Sequence, residues 1–307
     1  MNIETLNNNA ESVMRCGTQD STGLNDFQKL PNQHGTAIPK VGIERFRVPL
    51  SFIHENGEHM THDGVASMFC YLAGSKTGVN MSRFVGILQE EVSGKVIDKN
   101  FFKDILNRYR MELRDYDHED PIKQTSIKLR FNYPLKQKSL KSENWGWQYY
   151  QVELEGTCDQ FGNILMHLTT HFEYSSTCPC SLSMAKQYEK DFRDGNTDEG
   201  SGIASAHSQR SLCICKITYN LENNISIEEL INLLRIALPT ETQPMVKRLD
   251  EQAFAILNAD NPMFVEHASR RLSHVLNLEE KILDWEASVE HFESLHSHNA
   301  VAYIRKQ

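Results

Sequence analysis

A chain of 307 residues with 39% hydrophobic and 24% charged side chains has an ordinary globular composition and the length for two modules around one core. Its formal net charge of −9 argues against a nucleic-acid binder, which needs a basic face to displace phosphate counterions, but leaves room for a small phosphorylated ligand held by a few Arg and Lys side chains. No apolar run reaches the ~18 residues of a membrane span, the polar start lacks a secretory h-region, and seven cysteines cannot all pair, so a cytoplasmic protein without membrane partner or disulfide framework is expected.

Residues 1–38 are rich in Asn, Ser, Thr and Gln without apolar period and read as a disordered or loosely ordered arm. Gly42 to Leu50 and Val65 to Leu72 read as strands. Ser82 to Glu91 and Lys99 to Leu113 read as helices, the second placing Phe101, Phe102, Ile105, Leu106 and Tyr109 on one face. Strands follow at Ser126 to Leu135 and Trp147 to Gly156. The order then repeats: strands at Ile164 to Tyr174 and Ser211 to Tyr219, a helix opened by the capping box of Ser226 and Glu229, and a helix with Pro262 in its first turn. Lys281 to Phe292 and Ala300 to Arg305 close the chain as strands. The expected class is α+β, two tandem ββααββ modules at 39–160 and 161–307, each an antiparallel sheet with helices on one face. The exposed edges of such sheets favour assembly into a multi-subunit barrel.

Four segments carry chemistry. Thr177 to Ser181 reads TCPCS, where Pro179 stiffens a turn that offers Cys178 and Cys180 at a strand end. This is equally a buried or surface pair of no function, and Cys180 is expected to point into the core. His207 and Arg210 stand just before a strand; they could supply an imidazole ligand and an anion clamp, or a packed ring and a surface ion pair. Glu251, in an apparent loop, and Glu266, one turn into the helix of Pro262, have solvated helix-end charge as their usual role. Glu293 and His296 lie between two strands, as an acid/base pair or a polar turn. Cys213 and Cys215, two apart on a strand, share one face and read as core. There is no Walker loop, dinucleotide fingerprint or nucleophile elbow.

In combination, these segments resemble the GTP cyclohydrolase IB family of the tunnelling-fold superfamily. The likeness runs from Val41 to Tyr303 through Val41–Phe46, Met81–Val85, Cys178–Ser181, His207–Ser211, Asp250-Glu251, Asn261–Glu266 and Glu293–His298. Residues 182–206 form a long polar insertion, and Leu182, Asn80, Asp260 and His267 depart from the usual family residues. The resemblance implies hydrolysis of GTP to 7,8-dihydroneopterin triphosphate and formate, the first step of tetrahydrofolate synthesis, by a metal-activated water at C8 of guanine. It implies Cys178, His207 and Glu251 as ligands, Glu266 as purine anchor, Cys178, Glu293 and His296 as catalytic groups, Arg83 and Arg210 as triphosphate contacts, and a homotetramer. A thiolate, an imidazole and a carboxylate suit Mn²⁺ or Fe²⁺, with Zn²⁺ also able to bind. The rival readings are a tunnelling-fold oxidoreductase with a cysteine nucleophile, and a metal-binding protein without catalysis.

Overall fold

The computed structural model describes residues 35–113 and 122–307; most of the expected N-terminal arm lies outside the described residues. Eight strands form one antiparallel sheet in chain order: β1 (Ile38–Ile53), β2 (His59–Leu72), β3 (Gln124–Lys138), β4 (Trp145–Asp159), β5 (Ile164–Thr177), β6 (Ser208–Asn220), β7 (Asp284–His291) and β8 (Ala300–Arg305). Among the described residues six α-helices accompany them: α1 (Met81–Val92), α2 (Lys99–Glu112), α3 (Pro179–Arg193), α4 (Ile227–Ala237), α5 (Arg248–Asp260) and α6 (Val265–Leu278). No described helix is long and apolar enough to cross a membrane.

The expected α+β tunnelling-fold plan is present, with two additions in the second half. Helix α3 is inserted between β5 and β6, and α5 stands between the two expected helices. The described residues divide into two compact units, the first made of those up to 129 with 155–165, the second of 130–154 with 166–307.

In the first unit α1 packs on α2 and on β1. The expected apolar face of α2 is its buried face, and Phe84 of α1 meets Tyr109 edge to face at 5.2 Å. The Tyr109 hydroxyl donates to the Phe84 carbonyl, so the ring is buried without an orphaned donor. Arg108 joins Glu90, Glu91 and Glu112 in a network across the two helices.

In the second unit the alternation of β6 sends Ser211, Cys213, Cys215, Ile217 and Tyr219 inward, so both thiols are core as expected. Burial pushes the thiol of Cys215 up to about 12. Helix α4 starts where expected: Ser226 accepts from Glu229 N–H at 2.9 Å, and Glu229 accepts from Ser226 N–H. Its buried face is Ile227, Leu230, Ile231, Leu234 and Ala237, packed on α6, which in turn lies on β7 and β8. Phe264 is the N-cap of α6, so Pro262 precedes that helix instead of sitting in its first turn. The Met263 N–H is bonded to the Thr177 carbonyl at 3.0 Å, which holds this segment extended against the end of β5.

Leu234 is fully buried, whereas the Ser226 cap lies at a helix end. Leu234→Ala is expected to cost about 2–5 kcal/mol and Ser226→Ala about 1 kcal/mol in urea unfolding. The reverse order would show that α4 is held by its cap and not by its face.

Candidate active site

Cys178, His207, Arg210 and Glu293 lie at the ends of β5, β6 and β7. Cys178 follows β5 as N-cap of α3, with Pro179 at the first helical position, where a missing N–H costs nothing. Its thiol makes no capping bond and is half-buried. The Cys178 N–H donates to the His207 carbonyl at 3.2 Å, and the His207 N–H donates to Ser181 Oγ at 3.1 Å. The backbones at both ends of the segment 179–206 are thereby tied together. That segment is not merely a polar loop: α3 occupies its first half, and the return loop folds onto α3. Tyr188 Oη donates to the Glu199 carbonyl and accepts from the Gly202 N–H at 3.0 Å. Gly200 and Gly202 have φ of +77° and +76°, and a side chain on either would meet the Tyr188 hydroxyl or the Phe192 ring.

The His207 ring is half-buried. Its Nδ1 lies 3.1 Å from Gln209 Oε1 and 3.8 Å from Glu293 Oε2. Glu293 follows β7, and its carboxylate is only 13% exposed. The expected pairing of Glu293 with His296 is not what the structure shows. Glu293 faces His207, while His296 is exposed on the turn 292–299 and stacks on His298 at 5.0 Å. The physical reason is reach: the Phe292 N–H bonds the Arg210 carbonyl, which fastens this end of β7 beside the start of β6 and so beside His207.

Two further expectations are corrected. Glu251 is not in a loop; it lies in the first turn of α5 and is exposed. That turn is fixed by its neighbour Asp250, whose buried carboxylate accepts from Ser142 Oγ (2.6 Å) and from the N–H groups of Ser142, Lys141 and Lys247. These bonds, led by that of the Ser142 hydroxyl, hold the Asp250 carboxyl well below the usual carboxylate range. Cys180 is exposed, not core, because it falls on the solvent side of α3.

Among the described residues no three His, Cys, Asp or Glu side chains converge closely enough to hold a metal ion. Cys178 and His207 are neighbours through their backbones, but Glu251 is not gathered with them. The predicted three-donor set therefore does not fit a metal ion as it stands.

Glu266 is exposed in the first turn of α6, where the positive end of the helix dipole favours its charge. Arg210 is exposed and pairs with Glu173 at 3.9 Å, the surface ion pair that was its alternative reading. Arg83 belongs to the first unit, where it donates to the Glu112 carbonyl at 3.2 Å.

Beneath these groups lie residues that sequence reasoning missed. Tyr174 Oη and His291 Nε2 share a hydrogen bond of 2.9 Å, both buried. Burial lowers His291 to about 4 against a smaller opposing pull from Glu266, and burial raises the Tyr174 phenol. Ser176, Ser211 and Gln209 form a buried polar row: Gln209 Nε2 donates to Ser176 Oγ at 2.8 Å, and the two serine hydroxyls are 2.8 Å apart. Period-two spacing was the available signal, since positions 207, 209 and 211 fall on one side of a strand.

An antiparallel sheet carrying helices, with its polar groups collected at strand ends, makes this chain an α+β protein of the tunnelling fold. The hyper-thermostable AgUricase mutant has the same fold, with TM-score 0.51 over 88% of this chain and 92% of that one; at 7% identity the likeness concerns fold alone. A family model described as type I GTP cyclohydrolase folE2 matches residues 24–302. GTP cyclohydrolase FolE2 of Cereibacter sphaeroides is 38% identical over 274 residues, covering 87% of this chain and 70% of that protein. The FolE2 of Ruegeria pomeroyi is 36% identical over 297 residues, covering 94% and 76%. The chain belongs to the type I GTP cyclohydrolase FolE2 family.

The His291 ring sets a pH dependence. It titrates near 6.5 when unfolded and near 4 when folded, so its contribution to stability is complete above about pH 6.5 and is lost as pH falls through about 4. The loss amounts to roughly 3 kcal/mol. Urea unfolding of wild type and His291→Gln between about pH 7.5 and about pH 4.5 should show a steeper loss in wild type. Parallel curves would mean that His291 is charged in the fold.

Proposed function

We propose that this chain is a GTP cyclohydrolase of the IB type that converts GTP and water to 7,8-dihydroneopterin triphosphate and formate, the first committed step toward tetrahydrofolate. One observation carries the reading: in a chain of the FolE2 family, the Cys178 backbone is bonded to that of His207 and Glu293 faces the His207 ring, at the ends of β5, β6 and β7. A metal store would need the thiol, but would have no use for a carboxylate facing the imidazole.

Guanine presents N1–H and an exocyclic amine on one edge. The Glu266 carboxylate, at a helix N-terminus, accepts both in a charge-assisted pair. Water must add at C8, and N7 must gain a proton as charge builds on the ring. His296, on its exposed turn, is proposed to move that proton and to serve the later transfers of formate release and pterin closure, while Glu293 orients His207. Arg210 and Arg83 are proposed triphosphate contacts, Arg210 after giving up its weak surface pairing with Glu173.

Cyclohydrolases of this family use a divalent metal, which supplies a water acidic enough to attack at neutral pH. We propose Mn²⁺ or Fe²⁺, with Zn²⁺ tolerated, and Cys178 and His207 as its first two donors. The third donor, proposed as Glu251, is not brought to them here, and no step is assigned to the ion.

We also propose modules at 39–160 and 161–307, a homotetramer and a cytoplasmic location. Trp145 and Tyr149 on β4, and Met245, Val246, Leu249 and Ile256 in and before α5, are exposed apolar side chains that association would cover.

Metal-stripped protein given Mn²⁺ and GTP should yield a fluorescent oxidised pterin with stoichiometric formate, and Cys178→Ala should lose at least roughly 100-fold in kcat/KM. Absence of product with Mn²⁺, Fe²⁺ and Zn²⁺ alike would contradict the reading. Wild type should also prefer GTP over inosine triphosphate, which lacks the exocyclic amine, by about 1–3 kcal/mol in kcat/KM. Glu266→Gln should abolish most of that preference; an unchanged preference would place the purine elsewhere.

A further inference from the structure

We propose that Gln209 is a positioning residue that fixes the tautomer of His207, placing the proton on Nδ1 and leaving Nε2 as the lone-pair nitrogen. The inference deepens the proposed function, because it concerns an imidazole of the same site.

The His207 backbone is already clamped from both directions, its carbonyl by the Cys178 N–H and its N–H by Ser181 Oγ. What remains free is the ring: its rotation, and which nitrogen carries the proton. Nδ1 faces two oxygens and no donor, Gln209 Oε1 at 3.1 Å and Glu293 Oε2 at 3.8 Å. A carboxylate can only accept, and the amide oxygen can only accept, so Nδ1 must be the donor in a neutral ring.

The amide cannot turn over cheaply. Its Nε2 is committed to Ser176 Oγ at 2.8 Å, and that hydroxyl is bonded in turn to Ser211 Oγ at 2.8 Å, with both serines fully buried. A flipped amide would need the Ser176 hydroxyl to donate instead, and would leave the Nδ1 lone pair facing the Glu293 carboxylate. Gln209 itself is buried, so no bulk water competes for its oxygen. The row thus runs from the serine pair on β5 and β6, through the amide, to the imidazole. It orients His207 by a neutral group and adds no charge of its own. Histidines with assigned chemistry are commonly held this way by a carboxylate or carbonyl, and loss of such a partner costs ~10–100-fold in function.

The test is nitrogen-15 NMR of histidine-labelled, metal-free protein, at a pH above the titration of the ring. Two-bond couplings report which nitrogen of a neutral imidazole is protonated. Wild type should show the Nδ1–H tautomer for His207. Gln209→Met, which keeps the shape and removes the acceptor, should shift the ring toward the Nε2–H form or to a mixture, and lower kcat ~10–100-fold with KM for GTP little changed. Gln209→Glu, which keeps an oxygen at Nδ1, should retain the Nδ1–H form. An Nε2–H ring in wild type, or an unshifted tautomer in Gln209→Met, would overturn the proposal. Because the spectrum needs no turnover, a protein with the Nδ1–H tautomer lost in Gln209→Met, but no action on GTP, would support the positioning role and refute only the reaction. If Gln209→Met fails to fold, Ser176→Ala supplies the second probe: it removes the bond that fixes the amide, and should produce tautomer mixing with a smaller loss of kcat, whereas an unmixed Nδ1–H ring would overturn the role of the row.

Discussion

The site depends on one backbone hydrogen bond, that from the Cys178 N–H to the His207 carbonyl. Together with the His207 N–H bond to Ser181 Oγ and the adjacency of β5 and β6, it sets the spacing of two residues that a helix and a loop, residues 179–206, separate in the chain. With it, that segment becomes a closed excursion. Its ends are pinned where β5 and β6 stop, and its interior is stitched by Tyr188 to Glu199 and Gly202. Closing a loop costs entropy that grows only slowly with its length, so a long insertion is tolerated so long as its ends remain paired. This explains how residues 179–206 can lie between Cys178 and His207 while the two backbones stay bonded.

The same strand ends separate charged from neutral groups. Glu266 stands toward solvent and Glu293 faces His207, whereas the layer below them is kept uncharged by burial: His291 near 4, Tyr174 above its usual range, and the Ser176, Ser211 and Gln209 row with no ionisable member. A neutral, hydrogen-bonded floor orients the groups above it without competing for a proton or for an anionic substrate. Asp250 does similar work for α5. Its four bonds tie the start of that helix to Lys141 and Ser142 by a carboxylate that is fully satisfied, leaving its neighbour Glu251 exposed and unoccupied by structural duty.

Much of this was legible in the sequence, and the exceptions have a common cause. The strands β1 to β7 and the helices α1, α2, α4 and α6 announce themselves because each buries an apolar face, as with Leu230, Ile231 and Leu234 of α4, and β8 through its alternation alone. Helices α3 and α5 do not: the only buried residue of α3 is Ala185, and those of α5 are Asp250 and Asn258. Without an apolar stripe there is no period to detect, so these helices read as loops, and Glu251 was misplaced with them. The candidate residues could be named from ordered motifs, but motifs carry no distances. They did not reveal that Glu293 turns to His207 and away from His296, that Cys180 faces solvent, or that Gln209 and not a carboxylate lies closest to the imidazole.

The central claim is that this chain opens the imidazole ring of guanine at C8. It is tested most directly with GTP carrying carbon-13 at C8, incubated with the metal-loaded protein and followed by carbon NMR. The account predicts that the label leaves the purine and appears in formate, while the pterin formed is unlabelled, and that Cys178→Ala leaves the label in GTP. Label retained in a heterocyclic product, or GTP consumed without labelled formate, would contradict it.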